Sequence, residues 1–295
     1  MISRRQFVGG ASAVVAFTIS GRRASATPLG LPLAIQLYSV RQQMGEDLDG
    51  ALAAVSAAGY TEVEAAALPK KSAKEIRAAL DKAGLKCVSA HHPFAQLKDF
   101  DEVVAFDKEL GVKFIICSSP GYKTPAPAPT KGERPYSLED WHYNAEQFNV
   151  MGEKAAAMGV TFGYHNHTRE FAVTDGKIPY EVLLSLTDPK KVTFELDCGW
   201  VKVAGADPVQ IMRNHPHRIS MLHVKDFKLS ANPSPENHDA KVTEMGLGTI
   251  DYKPIFAQAA KTQHIQHAFV EQEAFDMPWK ESLKVDADYL RRFKM

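Results

Sequence analysis

From Leu31 onward the sequence alternates between two textures, and this alternation constrains the fold more than any other feature. Short runs rich in apolar and β-branched residues recur eight times, at 33–38, 62–66, 86–90, 113–117, 161–164, 192–197, 219–223 and 267–271. Amphipathic stretches lie between many of them, at 47–58, 72–83, 100–110, 138–158 and 180–186, and Gly59, Gly84, Gly111 and Gly159 stand where such a stretch should stop. Strand runs alternating with helical ones mark βα units around a parallel sheet. Eight units in this length predict a single-domain (β/α)8 TIM barrel over residues 31–295, since such barrels take roughly 250 residues. A doubly wound open sheet is the competing α/β arrangement.

Composition removes other classes. With 45% apolar and 24% charged residues the chain reads as globular, and 35 basic against 35 acidic residues give no excess for holding phosphate backbones. Cys87, Cys117 and Cys198 lie far apart in apolar runs, so they read as buried thiols rather than a redox or zinc set.

The first 26 residues predict a different fate. Arg4 and Arg5 precede an apolar run over 7–20, followed by Ala24-Ser25-Ala26. That run is shorter than the roughly 20 residues needed to span a bilayer, and Ala-x-Ala is a small-residue cleavage pattern, so an export signal is expected rather than a stable membrane anchor. The paired arginines resemble a twin-arginine signal, which implies export machinery for folded proteins as a partner and a periplasmic or exported destination. The segment carries four arginines and no acidic residue, leaving the remaining chain at a net charge of −4. That charge argues against a nucleic-acid substrate.

Two connections are long, 118–136 with five prolines and 226–248 with Pro233 and Pro235. Both follow a strand run, and in a barrel both would rise from the face where active sites are built. Gly246-Leu247-Gly248 has something of a phosphate-cradling loop but lacks the further glycine of a dinucleotide signature.

The later strand runs end in ionisable pairs at i and i+2, the spacing that puts two side chains on one face. They are His165 and His167, Glu195 and Asp197, His223 and Lys225, and Glu271 and Glu273. Four such pairs converging on one barrel mouth need a compensating charge, and a divalent cation supplies it. Imidazole with carboxylate ligation suits Mn²⁺, Co²⁺, Fe²⁺ or Zn²⁺ better than Ca²⁺ or Mg²⁺.

Gly163-Tyr164-His165-Asn166-His167 with Glu170-Phe171, Glu195-Leu196-Asp197-x-Gly199-Trp200, Ala204-Gly205-x-Asp207-Pro208, His223-Val224-Lys225-Asp226 and Glu271-Gln272 together resemble the xylose-isomerase-like TIM-barrel superfamily. That group holds sugar isomerases and epimerases, inosose dehydratases and endonuclease IV. The resemblance implies a divalent metal, Mn²⁺ favoured, held by residues ending strands five to eight. Asp197, His223 and Glu271 match the last three positions. The fifth strand reads His165-Asn166 where many members read Glu-Asn, so the first ligand is His165 or the nearby Glu170, with His165 preferred.

Such an ion polarises a sugar carbonyl and stabilises the enolate left when the neighbouring C–H loses its proton. Glu271 is the expected base, with His167 or Glu170 moving a second proton and Lys225 stabilising oxyanion charge. Reprotonation of the enolate gives isomerisation or epimerisation, and loss of a β-substituent gives dehydration. Glu64, His91 and His92, with Gln36 and Tyr38 ranked lower, are expected to line a substrate pocket, and Trp200 to stack on a sugar face. No cluster of Arg and Lys stands ready for a phosphate, which favours an unphosphorylated sugar or keto-sugar. The expectation is therefore a metal-dependent sugar isomerase or epimerase, with a lyase, a non-catalytic periplasmic sugar-binding protein, or a metal-dependent phosphodiesterase as alternatives.

Overall fold

The computed structural model of the chain describes residues 27–124, 134–237 and 239–295; the expected export signal and the centre of the proline-rich connection lie outside them. Among the described residues the strands are β1 (Ala34–Gln36), β2 (Glu62–Ala65), β3 (Lys86–Pro93), β4 (Phe114–Ser119), β5 (Thr161–His165), β6 (Val192–Asp197), β7 (Ile219–Val224), β8 (Asp226–Lys228), β9 (Lys241–Thr243) and β10 (His267–Val270). Eight of them close a barrel in the order β1-β10-β7-β6-β5-β4-β3-β2. Every pairing in it is parallel, and β1 beside β10 seals the ring, with Ile35 opposite Val270. The chain is a (β/α)8 TIM barrel, and the open sheet is excluded. The described residues contain no helix long and apolar enough to cross a membrane.

Local sequence explains where the helices begin and stop. Ser72 and Glu75 form a reciprocal capping box at the start of Ala73–Ala83, and Ser137 and Asp140 do the same for Leu138–Ala157. Gly84 closes the first of these with φ +71°, a left-handed conformation that glycine adopts without steric penalty. The 226–248 connection is not wholly irregular, because β8 and β9 form an antiparallel hairpin inside it.

Two apolar regions hold the barrel. The larger lies between strands and helices, and includes the three buried free cysteines. The smaller fills the barrel interior with Ala34, Phe114, Ile116, Met221 and Phe269. Phe269 packs edge-on to the His223 ring at 5.9 Å, so the apolar plug is the floor beneath a layer of ionisable groups.

Candidate metal centre

Strands β5, β6 and β7 end in His165, Asp197 and, one residue short of the end, His223, and Glu271 follows β10 directly. Each has one ligand atom within 4.8 Å of the others', and all four residues are buried. Asp197 Oδ2 lies 3.8 Å from His165 Nε2 and 3.9 Å from His223 Nδ1, and Glu271 Oε2 lies 3.0 Å from His223 Nδ1. Lys225 is fully buried beside them, 2.9 Å from Asp197 Oδ2, 2.7 Å from Glu273 Oε1 and in direct contact with Glu271 Oε2.

Below these groups lies a second set. His91 Nε2 is 2.6 Å from Glu195 Oε2 and 3.0 Å from Glu64 Oε2, and Gln36 meets its Nδ1 at 2.9 Å. Glu195 also meets His165 Nδ1 at 3.1 Å, and Glu64 meets His223 Nε2 at 2.7 Å.

Burial opposes charge on every one of these groups, so the shifts show which neighbours overcome it. Burial would raise Glu64, yet His91 and His223 hold it far below the usual carboxylate range. Burial and the charge of Glu64 both raise Glu195, but His223 and His91 bring it down to about 2. Burial lowers His91, and the two carboxylates more than reverse this, to about 9. His91 Nδ1 faces the Gln36 amide, whose Nε2 lies 2.9 Å away and whose Oε1 is buried without a partner. His165 is held well below its ordinary value by burial and by the cationic His223. Asp197 goes the other way, raised to about 6 by burial, with the pull of Lys225 and His223 only partly offsetting it and Glu271 adding to the rise.

The donor set fits a divalent ion. Three carboxylates, Asp197, Glu271 and Glu273, meet the single Lys225 ammonium, while Glu64 and Glu195 are held below by His91 and His223. Asp197 Oδ2 is buried without a hydrogen-bond partner, because the nearby Lys225 ammonium is not aligned to donate to it. Two imidazoles and two carboxylates at this spacing offer the mixed nitrogen and oxygen donors that a divalent metal ion can take.

A model of the xylose isomerase-like TIM barrel family matches residues 52–293. The chain belongs to that family. An inosose dehydratase of Clostridium botulinum is 26% identical over 243 residues, covering 76% of this chain and 81% of its own. The inosose dehydratase of Geobacillus thermodenitrificans is 29% identical over 219 residues, covering 68% and 73%. Among solved structures, a sugar phosphate isomerase/epimerase from Parabacteroides distasonis superposes with a TM-score of 0.71 at 26% identity, covering 90% of this chain and 99% of that one.

Within this xylose isomerase-like barrel, the residues singled out from the sequence separate by where they point. A cavity of about 400 Å³ opens above the metal centre and is lined by Gln36, Tyr38, His91, His165, His167 and Glu271 among others, with no lysine or arginine among the described residues of its wall. His167 is half-buried, with its Nδ1 shielded and unpartnered, and desolvation together with Lys225 pushes it down to about 3, so its ring is neutral. Glu170 is not brought to the cluster. Its carboxylate accepts from the Tyr164 hydroxyl at 2.5 Å and the His167 N–H at 2.9 Å, so it fixes the loop after β5, and His165 is the fifth-strand residue that reaches the centre. His92 is likewise turned away, its Nε2 2.6 Å from Asp107 on the outer helix Phe100–Leu110. Trp200 stands behind Lys225, whose ammonium lies 5.1 Å above its ring, and donates to Glu273, so the cavity wall does not include it.

Two further residues gain their partners from the structure. Glu195 holds three histidines at once, and Gln36, ranked below Glu64 and His91 from the sequence, bonds His91 and lines the cavity. The glycine loop does cradle an anion, but one supplied by the chain: the N–H groups of Gly246 and Gly248 donate to the Asp226 carboxylate.

Proposed function

We propose that the protein is a divalent-metal-dependent lyase that removes water from an unphosphorylated keto-sugar or keto-cyclitol by way of an enolate. The observation that carries this reading is the convergence of His165, Asp197, His223 and Glu271 beside a buried ammonium, at the foot of a cavity with no lysine or arginine among its described residues. Mn²⁺ is the favoured ion on ligand chemistry, with Co²⁺, Fe²⁺ or Zn²⁺ as alternatives; when bound, the ion polarises the substrate carbonyl. The curated inosose dehydratases support a keto-cyclitol and the loss of water.

The chain's own groups supply the proton traffic. Glu271 Oε2 is occupied by His223 and Lys225, which leaves Oε1 to take the proton from the carbon beside the carbonyl. The electron pair of that C–H bond forms the enolate. As the carbonyl re-forms, the electron pair moves into a new bond between the α- and β-carbons, the β C–O bond breaks, and the departing oxygen takes a proton that Lys225 passes through Glu273, which lines the cavity 2.7 Å from the ammonium, so that water leaves. Glu271 and Glu273 are the cavity's carboxylates and come from one strand end, which suits acid and base acting on one face. A second reading, isomerisation or epimerisation, is favoured by His167, whose neutral ring lines the same cavity and could return a proton to another face.

Incubating the Mn²⁺-loaded protein with inosose and with a panel of keto-sugars in D₂O separates these outcomes by NMR. Loss of the β-oxygen is expected for at least one compound. Deuterium next to the carbonyl without loss of water would favour the isomerase reading. Neither change in any compound would sink the enolate chemistry and leave a sugar-binding protein.

A further inference from the structure

We propose that Glu64, His91 and Glu195 form a positioning layer under the metal centre, gripping the two imidazole ligands by their far nitrogens so that His165 Nε2 and His223 Nδ1 face the ion. This rests on reading His165, Asp197, His223 and Glu271 as the ligands. Each imidazole has two ring nitrogens, and in both histidines one points at Asp197 and the other into the barrel. His165 offers Nε2 to Asp197 and Nδ1 to Glu195 at 3.1 Å. His223 offers Nδ1 to Asp197 and Nε2 to Glu64 at 2.7 Å, with Glu195 at 3.3 Å. A carboxylate on the far nitrogen fixes ring orientation and makes the near nitrogen a better donor to a cation.

His91 ties the two carboxylates to each other at 2.6 and 3.0 Å, and Gln36 fixes His91 from β1. The layer therefore runs from β1, β2 and β3 to β6, beneath ligands carried by β5, β6, β7 and the end of β10. Glu64 and Glu195 are fully buried, so water cannot take their place.

His91, His165, Glu195 and His223 also lie close enough to hold a cation of their own. Filling both positions would require His165 and His223 each to bridge two cations and lose both ring protons. A single ion above an organic layer keeps one N–H on each ring, and that N–H has a carboxylate to receive it.

The test uses the full chain stripped of metal by a chelator and titrated with Co²⁺, followed by calorimetry, visible absorption and elemental analysis. One ion per chain is expected. Glu64→Gln and Glu195→Gln should weaken Co²⁺ binding by about 10- to 100-fold and shift the visible bands, because the rings lose their orientation. His91→Gln should act in the same direction and guards against either glutamine variant failing to fold, which circular dichroism reports. Asp107→Asn, which breaks the similar His92 pair away from the centre, should leave affinity and spectrum unchanged. Unaltered affinity and bands in the folded glutamate variants would overturn the layer. So would two ions per wild-type chain with one lost in Glu195→Gln. A wild-type chain that takes up no Co²⁺ would instead remove the four-ligand reading on which the layer stands.

Discussion

Lys225 carries two opposed duties. Its ammonium contacts Asp197, Glu271 and Glu273, and two of these are the carboxylates offered to the ion. Burial disfavours its charge, but those three acids raise it well above the ordinary lysine value. It therefore stays cationic and repels the metal while easing the burial of so many acids. Lys225→Met should tighten Mn²⁺ binding by roughly tenfold, because a like charge a few ångströms away is gone. The same change should cut turnover by about 10²- to 10⁴-fold if Lys225 supplies, through Glu273, the proton that reaches the leaving oxygen. Chelator competition reads the first effect and steady-state kinetics the second. Weaker metal binding in a folded variant would show that the ammonium supports the site rather than competing with the ion. The sequence displayed this residue as one of an i, i+2 pair with His223 and as a candidate to stabilise oxyanion charge. That it meets Asp197 and Glu271, rather than neutralising its neighbour Asp226, depends on contacts between β7, β6 and β10 that no local pattern encodes.

At the scale of the element, alternation made the barrel legible while irregularity hid the details. Short apolar runs marked all eight barrel strands, four of them preceded by a glycine stop, but β8 and β9 have only three residues each and no such run of their own. The adjacent His91 and His92 show a different limit. One faces the cavity and the other faces Asp107, and the register between β3 and β4 shifts between His92 and Pro93. A shift of one residue exchanges inward for outward, so spacing alone could not choose between the two. The last helix, Trp279–Arg292, carries a buried acid that its amphipathic pattern did not announce. Asp286 accepts the Met245 N–H at 2.7 Å, and its other oxygen is buried without a partner. Burial, with Glu244 and Asp226 near, raises this carboxyl to about 7, the Met245 N–H only partly opposing the rise. Between about pH 4 and 7 the folded chain keeps a proton that the unfolded chain has released, so stability falls as pH rises through that window and levels off above it. Asp286→Asn should flatten that decline, worth about 2.7 kcal/mol between the two conditions, in urea unfolding at pH 5 and pH 8. An unchanged difference between the two pH values would assign the decline to other groups.

For the whole molecule, the ion and the barrel should be energetically linked, because the four proposed ligands meet only in the folded state. At a concentration 100 times its Kd, an ion bound only by the folded form adds about 2.7 kcal/mol. Stripping it with a chelator should lower Tm by about 5–10 °C for a domain of this size, measured by calorimetry with and without excess Mn²⁺. An identical Tm in both would mean the ion is not part of the folded state's stability. The hydrogen bond from His223 to Glu64 joins residues 159 positions apart and reaches across the seam where β10 meets β1. A chain still lacking that closure has nowhere to seat a cation, so metal uptake would serve as a receipt issued only when the first and last strands have found each other.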